Sequence, residues 1–258
     1  MDNETSVVLY SVDNAVAQLT LNRPEKRNAL NDAIIGQLKS FLRSASADQS
    51  VKAIVISGAG KDFCSGADLS ALQKIAESSV ADNAADAHSL LELFTLIRTT
   101  TVPIIAAVKG KALAGGCGLA TACDIVLASA TARFGYPEVN IGFVPAMVAA
   151  ILRRNTSEKR AFELLTRGRE IDSLTAQHIG LVNQVFEDEE FDSQVASYAA
   201  GFTRLSREAV ALTKSLLYRI DGLGFEEAIA AGTDANVIAR MSEDCRRGVA
   251  AFLAKAKS

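Results

Sequence analysis

Between residues 104 and 120 an unbroken apolar strand runs into a helix start with almost no side chains, a junction that restricts the fold to one in which something approaches that backbone closely. Ile104-Ile105-Ala106-Ala107-Val108 reads as a strand buried on both faces, ended by Lys109-Gly110. A short loop then leads into Ala114-Gly115-Gly116-Cys117-Gly118-Leu119-Ala120. The first turn of a helix carries unpaired N–H groups and the positive end of the dipole, so Gly115 and Gly116 can present amides to an oxygen gaining negative charge. Phe63-Cys64-Ser65-Gly66-Ala67-Asp68-Leu69 is a second bare loop, with the Ala67 amide as the matching donor. Phe134-Gly135-Tyr136-Pro137-Glu138 brings one carboxylate along an otherwise apolar approach. Taken singly, each glycine motif is a tight turn. Jointly they supply amide donors and an acid.

The flanking pattern alternates strand and helix. Residues 7–12 and 15–21 are β-rich runs around an Asp13-Asn14 turn, and residues 51–57 form a buried strand. Asn31 or Asp32 caps a helix toward Ala47, with Ile34, Ile35, Leu38, Phe41 and Leu42 at helical spacing. Residues 76–87, rich in Ala, Ser, Asp and Asn, are ambiguous and read as a mobile pocket wall, ahead of a clearer helix through Leu90, Leu91, Phe94 and Ile97. A strand at 125–128 follows the glycine helix. From about residue 144 helical runs take over, at 145–154, 157–167, 189–202, 206–220 and 224–253. The expectation is an α/β catalytic domain over residues 1–200 and a helical C-terminal region over residues 201–258.

Composition narrows the partners. A net charge of −3 gives no broad basic surface, so nucleic acid is not expected as the principal ligand. Cys64, Cys117, Cys123 and Cys245 lack metal-ligand spacing and read as reduced thiols of a cytoplasmic protein. The acidic start Met1-Asp2-Asn3-Glu4 has no signal pattern, and no apolar run of about 18 residues appears, so no membrane is expected. His88 and His178 are isolated and make no metal site, and both read as ordinary helix residues. Ser65 lacks a nucleophile elbow and a triad, and there is no phosphate-binding glycine loop. Asp68 reads as a helix cap and Asp124 as an anchor for strand-end backbone.

The chain resembles the crotonase superfamily, also called the enoyl-CoA hydratase/isomerase superfamily, nearly end to end. Asn22-Arg23-Pro24-Glu25-Lys26-Arg27-Asn28-Ala29-Leu30 is similar to the family's first CoA-contacting turn, Ser65-Gly66-Ala67-Asp68-Leu69 to its first oxyanion loop, and Gly115-Gly116-Cys117 to its second. Ala122-Cys123-Asp124-Ile125-Val126-Leu127-Ala128 and Gly180-Leu181-Val182-Asn183 are similar to further family signatures. The resemblance implies ββα turns wound into a spiral core, with C-terminal helices packing in a homotrimer or a dimer of trimers. It implies an acyl-CoA thioester as substrate and no cofactor, CoA being part of that substrate. Ala67 and Gly115 are implied as the amides that hold the thioester oxygen, with Glu138 as the acid–base residue. Ser65, Gly66, Asp68, Leu69 and Gly116 are implied around them. Lys26, Arg27 and Ala29 are implied at the CoA nucleotide, together with Phe252 and Lys255, sometimes from a neighbouring subunit.

One position departs from the pattern. Hydratases of the family commonly carry a second glutamate just beyond the Gly-Gly-Cys segment, where this chain has Gly118. The leading expectation is hydration of a 2-enoyl-CoA. Isomerisation of a 3-enoyl to a 2-enoyl thioester by a single glutamate is the alternative, and a non-catalytic acyl-CoA or RNA-binding role is a remote one.

Overall fold

The first two strands form a hairpin. β1 (Val8–Asp13) and β2 (Val16–Leu21) pair antiparallel from Asp13↔Val16 to Val8↔Leu21, so the turn is Asn14-Ala15, one residue later than expected. Both turn residues have positive φ, 46° and 64°, the geometry that matches the twist of a two-residue hairpin. The computed structural model to which these strands belong describes residues 6–68, 73 and 77–255.

From β2 onward the chain adds strands in parallel. β3 (Ala53–Gly58), β4 (Ile104–Val108), β6 (Ile125–Ser129) and β9 (Gln184–Phe186) complete a sheet of order β1-β2-β3-β4-β6-β9. Between them lie β5 (Lys111–Leu113), β7 (Arg133–Gly135) and β8 (Glu170–Asp172), which form a second sheet of order β5-β7-β8. The chain thus crosses from one sheet to the other and back. Gly110 makes the first crossing possible: at φ +58° a Cβ there would lie 2.1 Å from the Lys61 carbonyl oxygen. The three strands of the small sheet are three residues each, too short to leave a period in the sequence.

Helices cover the large sheet on both faces. α1 (Asp32–Ala47) starts where expected, with the Asn31 side chain accepting from the Ile34 N–H, and buries Ile34, Ile35, Leu38 and Leu42 against Leu19, Leu21 and Ile56. α2 (Val80–Thr99) begins at a Ser79 cap, so the ambiguous stretch supplies its first turns from residue 80; residue 76 lies outside the described residues. Of its expected apolar residues Phe94 and Ile97 are buried, Leu90 is half-buried and Leu91 is exposed, while Leu93, which was not expected, is buried. α3 (Gly115–Ala122), α4 (Ala146–Asn155), α5 (Glu158–Arg167) and α6 (Ser173–His178) follow. On the opposite face α7 (Phe191–Thr203) packs Phe191, Val195 and Ala199 on Val55, Ile105 and Leu127. Residue 200 lies within α7.

The C-terminal helices are α8 (Arg207–Arg219), α9 (Phe225–Met241) and α10 (Glu243–Lys255). The expected single run over 224–253 is broken at Ser242, whose hydroxyl accepts from the Cys245 N–H at 3.1 Å and caps a new helix with Glu243 and Asp244 in its first turn. α8 is fastened to the core by buried polar contacts. The Lys214 ammonium donates to the Asp124 carboxylate at 2.7 Å and to the carbonyls of Ile97 and Val102, while Asp124 also accepts from the Ile104 N–H and the Tyr218 hydroxyl. Asp124 therefore anchors strand-end backbone, and a helix from far down the sequence besides. Burial lowers the pKa of Lys214, and the Asp124 charge opposes that shift.

Candidate active site

A cavity of about 990 Å³ opens between the turn before α1, the loop after β3, α2, the start of α3, the turn after β7 and the start of α4. Its amide donors follow from local hydrogen bonding. In the parallel bridge between Leu30 and Ala67, the Leu30 N–H donates to Gly66 O at 2.7 Å and the Leu30 carbonyl accepts from Asp68 N at 3.1 Å. This register uses the neighbours of Ala67 and turns its own N–H the other way. Gly115 is the first residue of α3, so its N–H has no intrahelical acceptor, and Ala114 before it provides no side-chain cap. Both Ala67 and Gly115 line the cavity.

Two other glycines act as spacers. Gly66 has φ +99°, and a Cβ there would lie 2.8 Å from that of Ala114, so the bare loop closes on the residue before the helix start. At Gly116 a Cβ would lie 2.3 Å from Cys64 O and 2.7 Å from its sulfur. Neither lines the cavity. Together they bring the Ala67 and Gly115 backbones to one wall.

Glu138 reaches the cavity on a single 3₁₀ turn, Pro137–Ile141, that follows β7 directly. Its Oε2 is buried and has no hydrogen-bond partner among the described residues. Burial raises its pKa from the ordinary glutamate value, while a backbone N–H pulls the other way. Phe134 and Tyr136 are fully buried behind it, whereas Ile141 is exposed. Leu90 and Phe94 from α2, Met147 and Val148 from α4, and Gly118 between them form an apolar stretch of wall, and Asn83, Asp86 and Asn140 add polar groups elsewhere in the lining.

The turn before α1 forms the basic rim. Lys26, Arg27 and Ala29 line the cavity, as do Ser65 and Asp68, which accepts from Arg23 Nη2 at 2.8 Å. Asn28, a residue that composition and spacing did not single out, holds this turn. It is fully buried at φ +55°, accepts from Arg23 N at 2.9 Å and donates to the carbonyls of Ala59 and Asp62. An asparagine between Arg27 and Ala29 was the available signal, because asparagine tolerates positive φ better than most residues.

The sequence model of the enoyl-CoA hydratase/isomerase family matches residues 11–258. The chain belongs to that family. A Thermus thermophilus relative is 38% identical over 240 residues, 93% of this chain and 95% of its own. The 2,3-dehydroadipyl-CoA hydratase of Escherichia coli K12 is 35% identical over 254 residues, covering 97% and 96%. The crystal structure of a Mycobacterium smegmatis enoyl-CoA hydratase superposes with a TM-score of 0.92 at 33% identity over 96% of each chain. The crotonase fold implied by the motifs is thus the fold of this chain, an enoyl-CoA hydratase-like acyl-CoA enzyme of that family.

Not every residue carried over from the family motifs reaches this enzyme's cavity. Phe252 is largely exposed on α10, and neither it nor Lys255 lines the cavity of the single chain. Leu69 lies outside the described residues, as does the start of the segment that Asp68 was expected to cap. His88 is exposed on α2 with Nδ1 2.6 Å from Ala84 O, and His178 is exposed at the end of α6. Among the described residues no cluster of metal-ligating side chains occurs, and no helix is long and apolar enough to cross a membrane.

Proposed function

We propose that this enzyme hydrates a 2-enoyl-CoA, with the thioester oxygen held by the Ala67 and Gly115 amides and Glu138 moving the proton. One observation carries the reading: Ala67, Gly115 and Glu138, whose buried Oε2 has no hydrogen-bond partner among the described residues, line one cavity. Glu138 takes a proton from water as the water oxygen bonds to the β-carbon, and the π electrons pass to the thioester oxygen. The two amides and the dipole of α3 stabilise that enolate more than the neutral carbonyl, which is what lowers a barrier. Glu138 then returns the proton to the α-carbon. Lys26 and Arg27 at the rim suit the CoA phosphates, and the acyl chain runs along Leu90, Phe94 and Val148. No cofactor is needed beyond the CoA of the substrate.

Isomerisation of a 3-enoyl-CoA is favoured by one feature, the apolar wall at Gly118 where a second carboxylate would otherwise hold water. There Glu138 takes the α proton and returns it to the γ-carbon. A panel of 2- and 3-enoyl-CoAs with products resolved by mass separates these: hydration adds the mass of water and isomerisation adds nothing. Retention of RNA without turnover of any enoyl-CoA would reject both. The same reading makes the enzyme a cytoplasmic homotrimer or dimer of trimers, with residues 1–200 catalytic and residues 201–258 forming the oligomerisation region.

A further inference from the structure

Among the described residues Oε2 of Glu138 has no hydrogen-bond partner, so the place of the carboxylate relative to the amides is set by the backbone on which it rides. That backbone is tied to α3 at two points. Gly135, the last residue of β7, accepts from the N–H of Ala114, the residue before Gly115, at 2.9 Å. One residue later Tyr136, fully buried, reaches the other end of the helix, its hydroxyl 2.6 Å from Thr121 Oγ1. Thr121 donates its own proton to the Cys117 carbonyl at 2.8 Å, so Tyr136 is the donor in the pair. Burial holds the Tyr136 phenol protonated far beyond neutral pH, and the neighbouring Cys117 thiol is pushed up to about 12 for the same reason. The chain of donors therefore does not change with pH in the working range.

We propose that Tyr136 is a positioning residue: through Thr121 it locks the Pro137–Ile141 turn to α3 and so fixes Glu138 against the Gly115 amide. This rests on the roles given above to Glu138 and Gly115. Removing the hydroxyl frees the turn at one of its two ties to α3, while Asn140 still donates to the Gly168 carbonyl at 3.2 Å, so the turn stays in place but loosens at Glu138, water reaches the carboxylate, and the rim and acyl wall are untouched. The loss falls on the chemical step and not on binding.

The test uses the full chain and begins with Glu138→Gln on the enoyl-CoA that the wild type turns over best. Undiminished activity there overturns the reading of the site and this inference with it. With Glu138→Gln inactive, Tyr136→Phe and Thr121→Val are each expected to lower kcat about tenfold or more, since a displacement of about 1 Å can cost a hundredfold, with KM within about twofold. The acid limb of the pH–rate profile moves to lower pH, because a better hydrated Glu138 ionises more readily. Thr121→Ser keeps the hydroxyl and retains kcat, and the double variant is no worse than either single one. Wild-type kcat and pH profile in folded Tyr136→Phe overturn this inference alone. If that variant does not fold, equal kcat for Thr121→Val and Thr121→Ser does so.

Discussion

A Cβ built on Gly118 would stand 3.1 Å from Cζ of Phe94 and 3.6 Å from Cγ2 of Val148, and all three residues line the cavity. Gly118 is three residues beyond Gly115, nearly one turn along α3, so the two share a helix face at a rise of about 4.5 Å. A glutamate here would have the right origin for a second acid. It would also meet two buried side chains.

Gly118→Glu alone is therefore expected to destabilise the fold by about 1–3 kcal/mol through overpacking and to lower all activity. Adding Phe94→Leu frees volume where the new carboxylate must pass and should raise the ratio of hydration to isomerisation. Urea melts and product masses for the single and double variants check both statements. A well-folded Gly118→Glu enzyme with wild-type hydration would mean that the β-carbon lies elsewhere.

Glu138→Gln keeps the shape of the side chain and removes the proton carrier, so turnover should collapse with little change in acyl-CoA affinity. Stability gives an independent reading. The folded pKa of Glu138 is raised, so the folded state binds more protons than the unfolded one above the unfolded pKa. Its contribution is present below the unfolded value, near 4.3, and is lost as pH rises through the folded value. Glu138→Gln should accordingly raise the melting temperature at pH 8 more than at pH 4. Equal changes at both pH values would show a carboxylate that is not desolvated.

How much of this was legible depended on length scale. α1 was readable to its cap because Asn31 and five apolar residues at helical spacing agree. The same pattern concealed the break at Ser242, since α9 and α10 are both amphipathic and a single serine separates them. Asp124 was legible as a strand anchor, but Lys214 was not, because nothing in a helix period marks which lysine turns inward. At the site the glycines were visible and their division of labour was not. Gly115 stays open toward the cavity and Gly116 packs on Cys64, a difference set by a loop about fifty residues away.

That difference predicts opposite failures in adjacent residues. Gly115→Val adds its bulk toward the cavity, where the nearest atom to a Cβ is Leu30 Cδ1 at 3.4 Å. The protein should fold with a near-normal melting temperature and lose activity by a hundredfold or more, as happens when an oxyanion donor is lost or blocked. Gly116→Ala drives a methyl into Cys64 O and should cost about 1–3 kcal/mol of stability or more. Calorimetry and kcat/KM on both variants decide this, and a stable, active Gly115→Val protein would remove Gly115 from the site.

The C-terminal helices raise the last prediction. Phe225 is 81% exposed in the single chain, Phe252 72%, Met241 65% and Ile229 59%. Val210, Leu212 and Leu216 are only partly buried where α8 meets its neighbours. Large apolar side chains at this density on consecutive helices form a surface that is expected to be covered by association, and a head-to-tail interface that closes would give a ring. Sedimentation at micromolar concentration should give a trimer or hexamer. Phe225→Asp with Ile229→Asp should shift it to lower mass with the helical content kept, because neither side chain is part of the core of the single chain. If Phe252 and Lys255 complete the CoA site of a neighbour, the dispersed variant also loses acyl-CoA affinity while Glu138 is unchanged. A wild-type monomer with full activity would show instead that α9 and α10 carry their apolar face uncovered.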